Sequence, residues 1–247
     1  MDRAGRVVIP KSVRDGMGLR PDEAFELEID GAAIRLATPR IHEVQLVAGG
    51  QPIIFPSAII ECDGLDPAPQ PPHTEDYRYS PASIKFVRRL TPAEWLTRLN
   101  GLLFGSVASI FEQSIFDDHG HYIADGAGPR SIGTIRPRGI AKITYAQGIE
   151  GTWDFRLGFY DPSGAFYRLK ITDFTLHLYG DSLRGPGREA QAIAAELTQL
   201  LKRRQVYLRI GLARKWAKFP DRCYLQLNAF YTFPDYLDGK TFADLWN

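Results

Sequence analysis

Cysteine is nearly absent: Cys62 and Cys223 are the only two in 247 residues. Two distant thiols make neither a disulfide framework nor a zinc knuckle. No apolar run approaches the roughly 18 residues of a membrane span. The opening MDRAGRVV lacks the apolar stretch of a secretory leader, so a cytoplasmic protein without a membrane partner is expected. Charge of one sign is also missing, since the formal net charge is only +1. Any affinity for nucleic acid must therefore come from local patches. There is no Gly-rich phosphate-cradling loop and no pair of carboxylates at helical spacing. These absences argue against an enzyme, and neither a cofactor nor a metal is expected.

What is present is a globular composition, with 44% hydrophobic residues, enough for one sizeable core plus a small module. The patterns divide the chain into residues 1–40, 41–83 and 84–237. The expected class is α+β, mainly β: a swapped-hairpin amino-terminal module, then an OB-fold-like barrel with a helical elaboration.

In the first segment, Arg6–Pro10 reads as a short strand stopped by proline. Lys11–Leu19 reads as a short helix. Phe25, Leu27 and Ile29 alternate before the hairpin signal Asp30-Gly31, and residues 34–37 close that hairpin. Such a β-α-β-β piece is too small to bury its own core and needs a second copy. The run DRAGRVVIPKSVRDGMGLRPDEAFELEIDGAAIRL resembles the AbrB/MazE/SpoVT swapped-hairpin DNA-binding family over residues 2–37. The resemblance implies an intertwined homodimer that presents Arg3, Arg6, Lys11 and Arg14 to DNA. Cations so placed make phosphate contacts that position without specifying sequence.

In the second segment, His42–Val47 and Pro52–Glu61 predict two strands around Gly49-Gly50. The stretch from 64 to 82, with Pro67, Pro69, Pro71, Pro72 and Pro81, predicts a linker without regular structure. His73, Glu75 and Asp76 read as part of that solvated linker.

The third segment opens on a strand at Ile84–Leu90. Thr91, Pro92 and Glu94 form a helix start with a capping box. Ser106–Ile115 predicts a second short helix, and Phe116–Arg130 a loop. Asp117, Asp118, His119 and His121 in that loop invite a metal reading, but a metal needs three or four convergent ligands. A solvated loop explains them as well. From Ser131 the pattern is strand: one long bent strand broken near Pro137 and Gly139, then residues 152–161, then 165–172. A helix follows over Arg188–Arg204, with Ile193, Leu197, Leu200 and Leu201 at core spacing. Two more strands close the chain, joined by the loop 213–222. Five strands with a helix between the third and fourth predict an OB-fold.

FYRLKITDF and VYLRIGLARKWAKFPDRCYLQLNAFYTF are similar to the end of the bacterial dual-OB-containing domain, best over residues 165–233. The shared features are Ile171-Thr172-Asp173, the Leu208 and Leu212 strand, and Cys223-Tyr224. That resemblance implies nucleic-acid binding within a bacterial defence or mobile-element complex and brings no catalytic residue. An OB barrel binds on the outer face of strands two and three and on the four-five loop. Alternation puts Arg156, Tyr160, Phe166, Arg168 and Lys170 on that face and Arg209 on the wet side of strand four. The loop carries Arg214, Lys215, Trp216, Lys218 and Phe219. Cations that track phosphates beside rings that stack bases suit a single strand or an RNA–DNA hybrid. Two readings of the loop stand: Trp216 and Phe219 reach out towards bases, or they fold back and plug the barrel end. A second function class stands beside the first, an antitoxin-like adaptor in which the loop docks on a partner protein with Trp216 as anchor.

Overall fold

The computed structural model describes residues 35–38, 46–147, 153–184 and 187–245. The expected strand, helix and hairpin of residues 6–33, and with them Arg3, Arg6, Lys11 and Arg14, lie outside these. Internal contacts group the chain into two units, divided between Trp95 and Leu96, with residues 71–73 counted in the second. The division falls inside a helix and not in the Pro-rich stretch.

The first unit is made of short strands. Strands β1 (Arg35–Thr38), β6 (Asp76–Arg78) and β5 (Asp66–Pro67) form a three-stranded sheet, with β1 parallel to β6. Strands β2 (Val47–Ala48) and β3 (Gln51–Pro52) make a short hairpin at the expected Gly49-Gly50 turn, but the expected strand Pro52–Glu61 is not continuous, since residues 53–57 leave it. Its turn residues Gly49 and Gly50 have φ of +56° and +77°, which side chains disfavour. Strand β4 (Ala58–Glu61) pairs with β7 (Lys85–Arg89). Two expectations are corrected here. The Pro-rich stretch holds β5, β6 and a 3-10 turn at Pro81–Ser83, because prolines at strand starts and edges need donate no ladder bond. His73, Glu75 and Asp76 are buried and not solvated.

Helix α1 (Pro92–Gly101) crosses from one unit to the other. It starts as its sequence predicts. The Glu94 amide donates to Thr91 Oγ1 at 3.3 Å, and the Thr91 amide donates to Glu94 Oε2 at 2.7 Å. Arg88 adds an ion pair, and these bonds hold the Glu94 carboxyl down at about 2.

The second unit is a curled, barrel-like sheet with a few helices. Its strands are β8 (Phe116–Asp117), β9 (His121–Ala124), β10 (Ile132–Ile135), β11 (Gly139–Gln147), β12 (Trp153–Tyr160), β13 (Phe166–Ile171), β14 (Gln205–Leu212) and β15 (Arg222–Phe233). The order across the sheet is β10-β14-β15-β13-β12-β11. All of these pairs are antiparallel except β13 with β15. Strands β10 and β11 are the two halves of the predicted bent strand, interrupted at residues 136–138. One half edges β14 and the other edges β12, so a single run of chain supplies both rims of the curl.

Period-two alternation is followed closely on β13, where Tyr167, Leu169 and Ile171 are buried and Phe166, Arg168 and Lys170 are exposed. Phe155, Leu157 and Phe159 of β12 are likewise in the core. Trp153, at the strand end, is half-buried, with the Arg184 guanidinium 5.0 Å from its ring centroid.

The connection from β13 to β14 carries two helices, α3 (Phe174–Leu183) and α4 (Ala190–Lys202), where one was expected. Asp173 caps α3 by accepting from the Leu176 amide at 3.2 Å. Helix α4 buries Ile193, Leu197 and Leu201 in the core. It also completes the rim of β11, where the Ile143 amide donates to Thr198 Oγ1 at 2.8 Å. The short helix α2 (Val107–Phe111) sends Val107, Ile110 and Phe111 into the same core. Asp161, fully buried, ties it down by accepting from the Val107 amide at 2.9 Å, the Ala165 amide and the Ser163 hydroxyl.

The predicted loop 116–130 is a correction. It contains the hairpin β8–β9, and β9 joins the edge of β15 with Tyr122 opposite Tyr224 and Ile123 opposite Cys223.

Candidate nucleic-acid interface

Cross-strand register builds the face from β11, β12 and β13. Arg156 lies opposite Thr144 on one side and Lys170 on the other. Gly158 lies opposite Lys142 and Arg168, and Tyr160 opposite Phe166. All of these project outward, because Leu157, Leu169 and Ile143 between them are in the core. The result is a basic strip of Lys142, Arg156, Arg168 and Lys170 with two rings at one end. Tyr160 is 47% exposed and Phe166 49% exposed, with ring centroids 5.3 Å apart. Gly158 is what lets Phe166 lie down: a Cβ there would come within 3.3 Å of the Phe166 ring. Arg168 donates to Thr144 Oγ1 at 3.3 Å, which spreads its guanidinium across the strip. Lys170 pairs with Asp154 at 2.8 Å, the acid within this patch.

The loop between β14 and β15 keeps its rings outside the core of the curled sheet. Trp216 is 58% exposed, so it does not plug the end. Phe219 is half-buried, its ring 6.1 Å from Tyr224 and 6.4 Å from His119. Arg214, Lys215 and Lys218 are exposed. Lys218 Nζ sits 5.7 Å from the Trp216 ring centroid and 5.6 Å from that of Phe219. Lys215 is committed to Asp125 at 2.9 Å, and this pairing raises the lysine and lowers the carboxyl.

Arg209 is the site residue placed differently from expectation. It is half-buried, with a 3.5 Å bond to Thr134 Oγ1, and not on a wet face. The outer side of β14 is covered. Tyr207 beside it is fully buried and donates to Asn100 Oδ1 of α1 at 2.6 Å.

The metal reading of the 117–121 turn is not supported by its geometry. Asp118 goes to Arg222 at 2.8 Å, His119 stacks over Phe219, and His121 meets the Tyr167 ring edge-on at 4.9 Å. No group of three or more potential ligands is gathered among the described residues. Cys223 is fully buried, and burial pushes its thiol up to about 11, so the thiolate needed for nucleophilic chemistry is scarce at neutral pH.

Sequence reasoning left Lys142, Phe116, Tyr122 and Tyr224 out of the site. For Lys142 and Tyr224 the signal was available, since Lys142 alternates with Ile143 and Tyr145, and Tyr224 with Cys223 and Leu225. For Phe116 and Tyr122 it was not, because the hairpin was read as loop.

The chain matches no protein-family model, no curated protein and no solved structure. Among the described residues no helix is long and apolar enough to cross a membrane. The functional reading therefore rests on the geometry.

Proposed function

We propose that this chain is a non-catalytic nucleic-acid-binding protein whose second unit is an OB-fold gripping unpaired strands or an RNA–DNA hybrid. The strand order supports the fold reading. Numbering the bent strand as one, the sheet runs 1-2-3-5-4-1, with three and five parallel and helices between three and four, as an OB barrel requires. The observation that carries the function is the outer face of β11, β12 and β13. A strip of four cations leads to two exposed rings at one end of the sheet, where phosphates and bases would each find a partner. In this reading the first 37 residues act as the AbrB-like module, a homodimer holding duplex DNA through Arg3, Arg6, Lys11 and Arg14. The whole then serves a bacterial defence or mobile-element complex.

The test is the salt dependence of oligonucleotide binding by the full chain. Roughly 0.7 counterions are released per phosphate contact with a single strand. Three or four contacts therefore predict a log–log slope of about −2 to −3. Arg156→Ala with Arg168→Ala should flatten that slope by about 1.4. No measurable single-strand affinity, together with a stably co-purifying protein, would replace this reading by the adaptor one, with Trp216 as its anchor.

A further inference from the structure

Rings on the outer face do not end at β13. Phe116 lies 5.4 Å from Tyr122, Tyr122 lies 5.6 Å from Tyr224, Tyr224 lies 6.1 Å from Phe219, and Phe219 lies 5.9 Å from Trp216. This is an unbroken ladder from the hairpin β8–β9, across β15, to the loop. Pleat parity places its β9 and β15 members outward. Ile123 and Cys223 are core residues that lie opposite one another, so their neighbours Tyr122 and Tyr224 point away from the core. The β13–β15 pair joins Ile171 to Leu227, both in the core. The ladder and the basic strip are therefore on the same outer face of one sheet.

Cations are interleaved with the rings. The Arg222 guanidinium lies 4.5 Å from the Tyr122 centroid and 4.9 Å from that of Phe219, anchored by Asp118. Lys218 lies over Trp216 and Phe219. The inner rings are half-buried and held by their neighbours. The two ends are open, Phe116 at 50% exposure and Trp216 at 58%. A ring already fixed by packing loses little freedom when something stacks on it.

We propose that the hairpin β8–β9 extends the binding face, with unpaired nucleotides stacking on Phe116 and Trp216 at the two ends of this ladder. The ligand is a single-stranded nucleic acid, DNA or RNA. The interleaved positive charge favours it over an apolar protein groove, because each base brings a phosphate with it. This inference rests on the single-strand reading above and adds a second segment to it.

Binding of labelled oligothymidylate and oligouridylate to the full chain tests it. Lengths from about 4 to about 20 nucleotides cover the usual 4–16 per barrel. Phe116→Ala with Trp216→Ala should weaken long oligonucleotides by about tenfold or more. Short ones, held by β12 and β13, should be unaffected, and the length at which affinity levels off should drop. Trp216→Phe should keep the affinity while the quenching of tryptophan emission on binding is reduced. Binding of either homopolymer with the length dependence above supports stacking on the ladder. If the double alanine variant binds every length like the native chain, while Arg156→Ala with Arg168→Ala weakens all of them, the ladder is overturned and the strip stands. If the native chain binds neither homopolymer, the single-strand reading itself falls. Loss of a co-purifying protein, with strand affinity intact, would assign the ladder to a protein contact and overturn the proposal.

Discussion

The outer sides of β14 and β12 began with the same pattern and ended differently. Each strand alternates core residues with outward ones, and each has a glycine at an outward position. At Gly211 the space is filled by Asn228, and a Cβ there would collide with its Oδ1. At Gly158 the space is filled by the ring of Phe166, which stays half exposed. Around Gly211 the neighbours are covered: Tyr207 is sealed under α1, and Arg209 bonds Thr134. Around Gly158 they are open, with Arg156, Arg168 and Tyr160 in water. Alternation determines which way a side chain points. It says nothing of what waits there. The covered side is committed to stability, and the open side is available for a ligand.

Five substitutions sharpen that contrast, and Tyr207→Ala should have the largest effect. It removes a fully buried ring and its hydrogen bond to Asn100, for a loss of about 3–5 kcal/mol in urea unfolding. A loss below about 1 kcal/mol would mean that the cover over β14 is not structural.

Next is Asp173→Asn, read as a pH profile. Burial raises the Asp173 carboxyl from its ordinary 3.8 to about 6. The folded protein therefore holds this proton more tightly than the unfolded chain. Its contribution to stability is full below about pH 4, falls as pH rises through 6, and is level above that. The fall amounts to about 3 kcal/mol. The difference in unfolding free energy between native and variant chains should change by that amount between pH 4 and 7. A constant difference would refute the raised carboxyl of the buried cap.

Gly211→Ala follows, costing about 1–3 kcal/mol through overpacking against Asn228, measured by thermal or urea unfolding. Its counterpart Gly158→Ala meets only the far edge of the Phe166 ring and should cost less than Gly211→Ala in the same assay.

Smallest in stability is Phe166→Ala, within about 0.5 kcal/mol of native as an exposed site. Its single-strand affinity should still drop about tenfold in anisotropy titrations. If stability falls and affinity does not, the open side is another structural face.

Much of the curled sheet was legible in the chain. The alternation of Tyr167, Leu169 and Ile171 against Phe166, Arg168 and Lys170 holds residue by residue. The break at Pro137 does divide strand one, and the Thr91–Glu94 box does open α1. Less legible was α3, whose FTLHLYGDSL has apolar residues on several sides and no clean stripe. A helix covered on more than one side carries no helical period to read. The hairpin β8–β9 was hidden because its strands are two and four residues long. Strands that short show no alternation, and pairing with β15 is what holds them.

By itself, the sequence determined the local directions: which residues of β12, β13 and α4 face the core, where the long strand bends, and where the cations and rings occur. Those follow from the two-residue and 3.6-residue periods of the backbone, which act within a few residues. Only the tertiary structure decided which outward face stays open. It sealed Tyr207 beneath Asn100, spread the strip from Lys142 to Lys170, and aligned Phe116 with Trp216 across three intervening rings. Each of these depends on segments far apart in the chain meeting in space, and no local period records such a meeting.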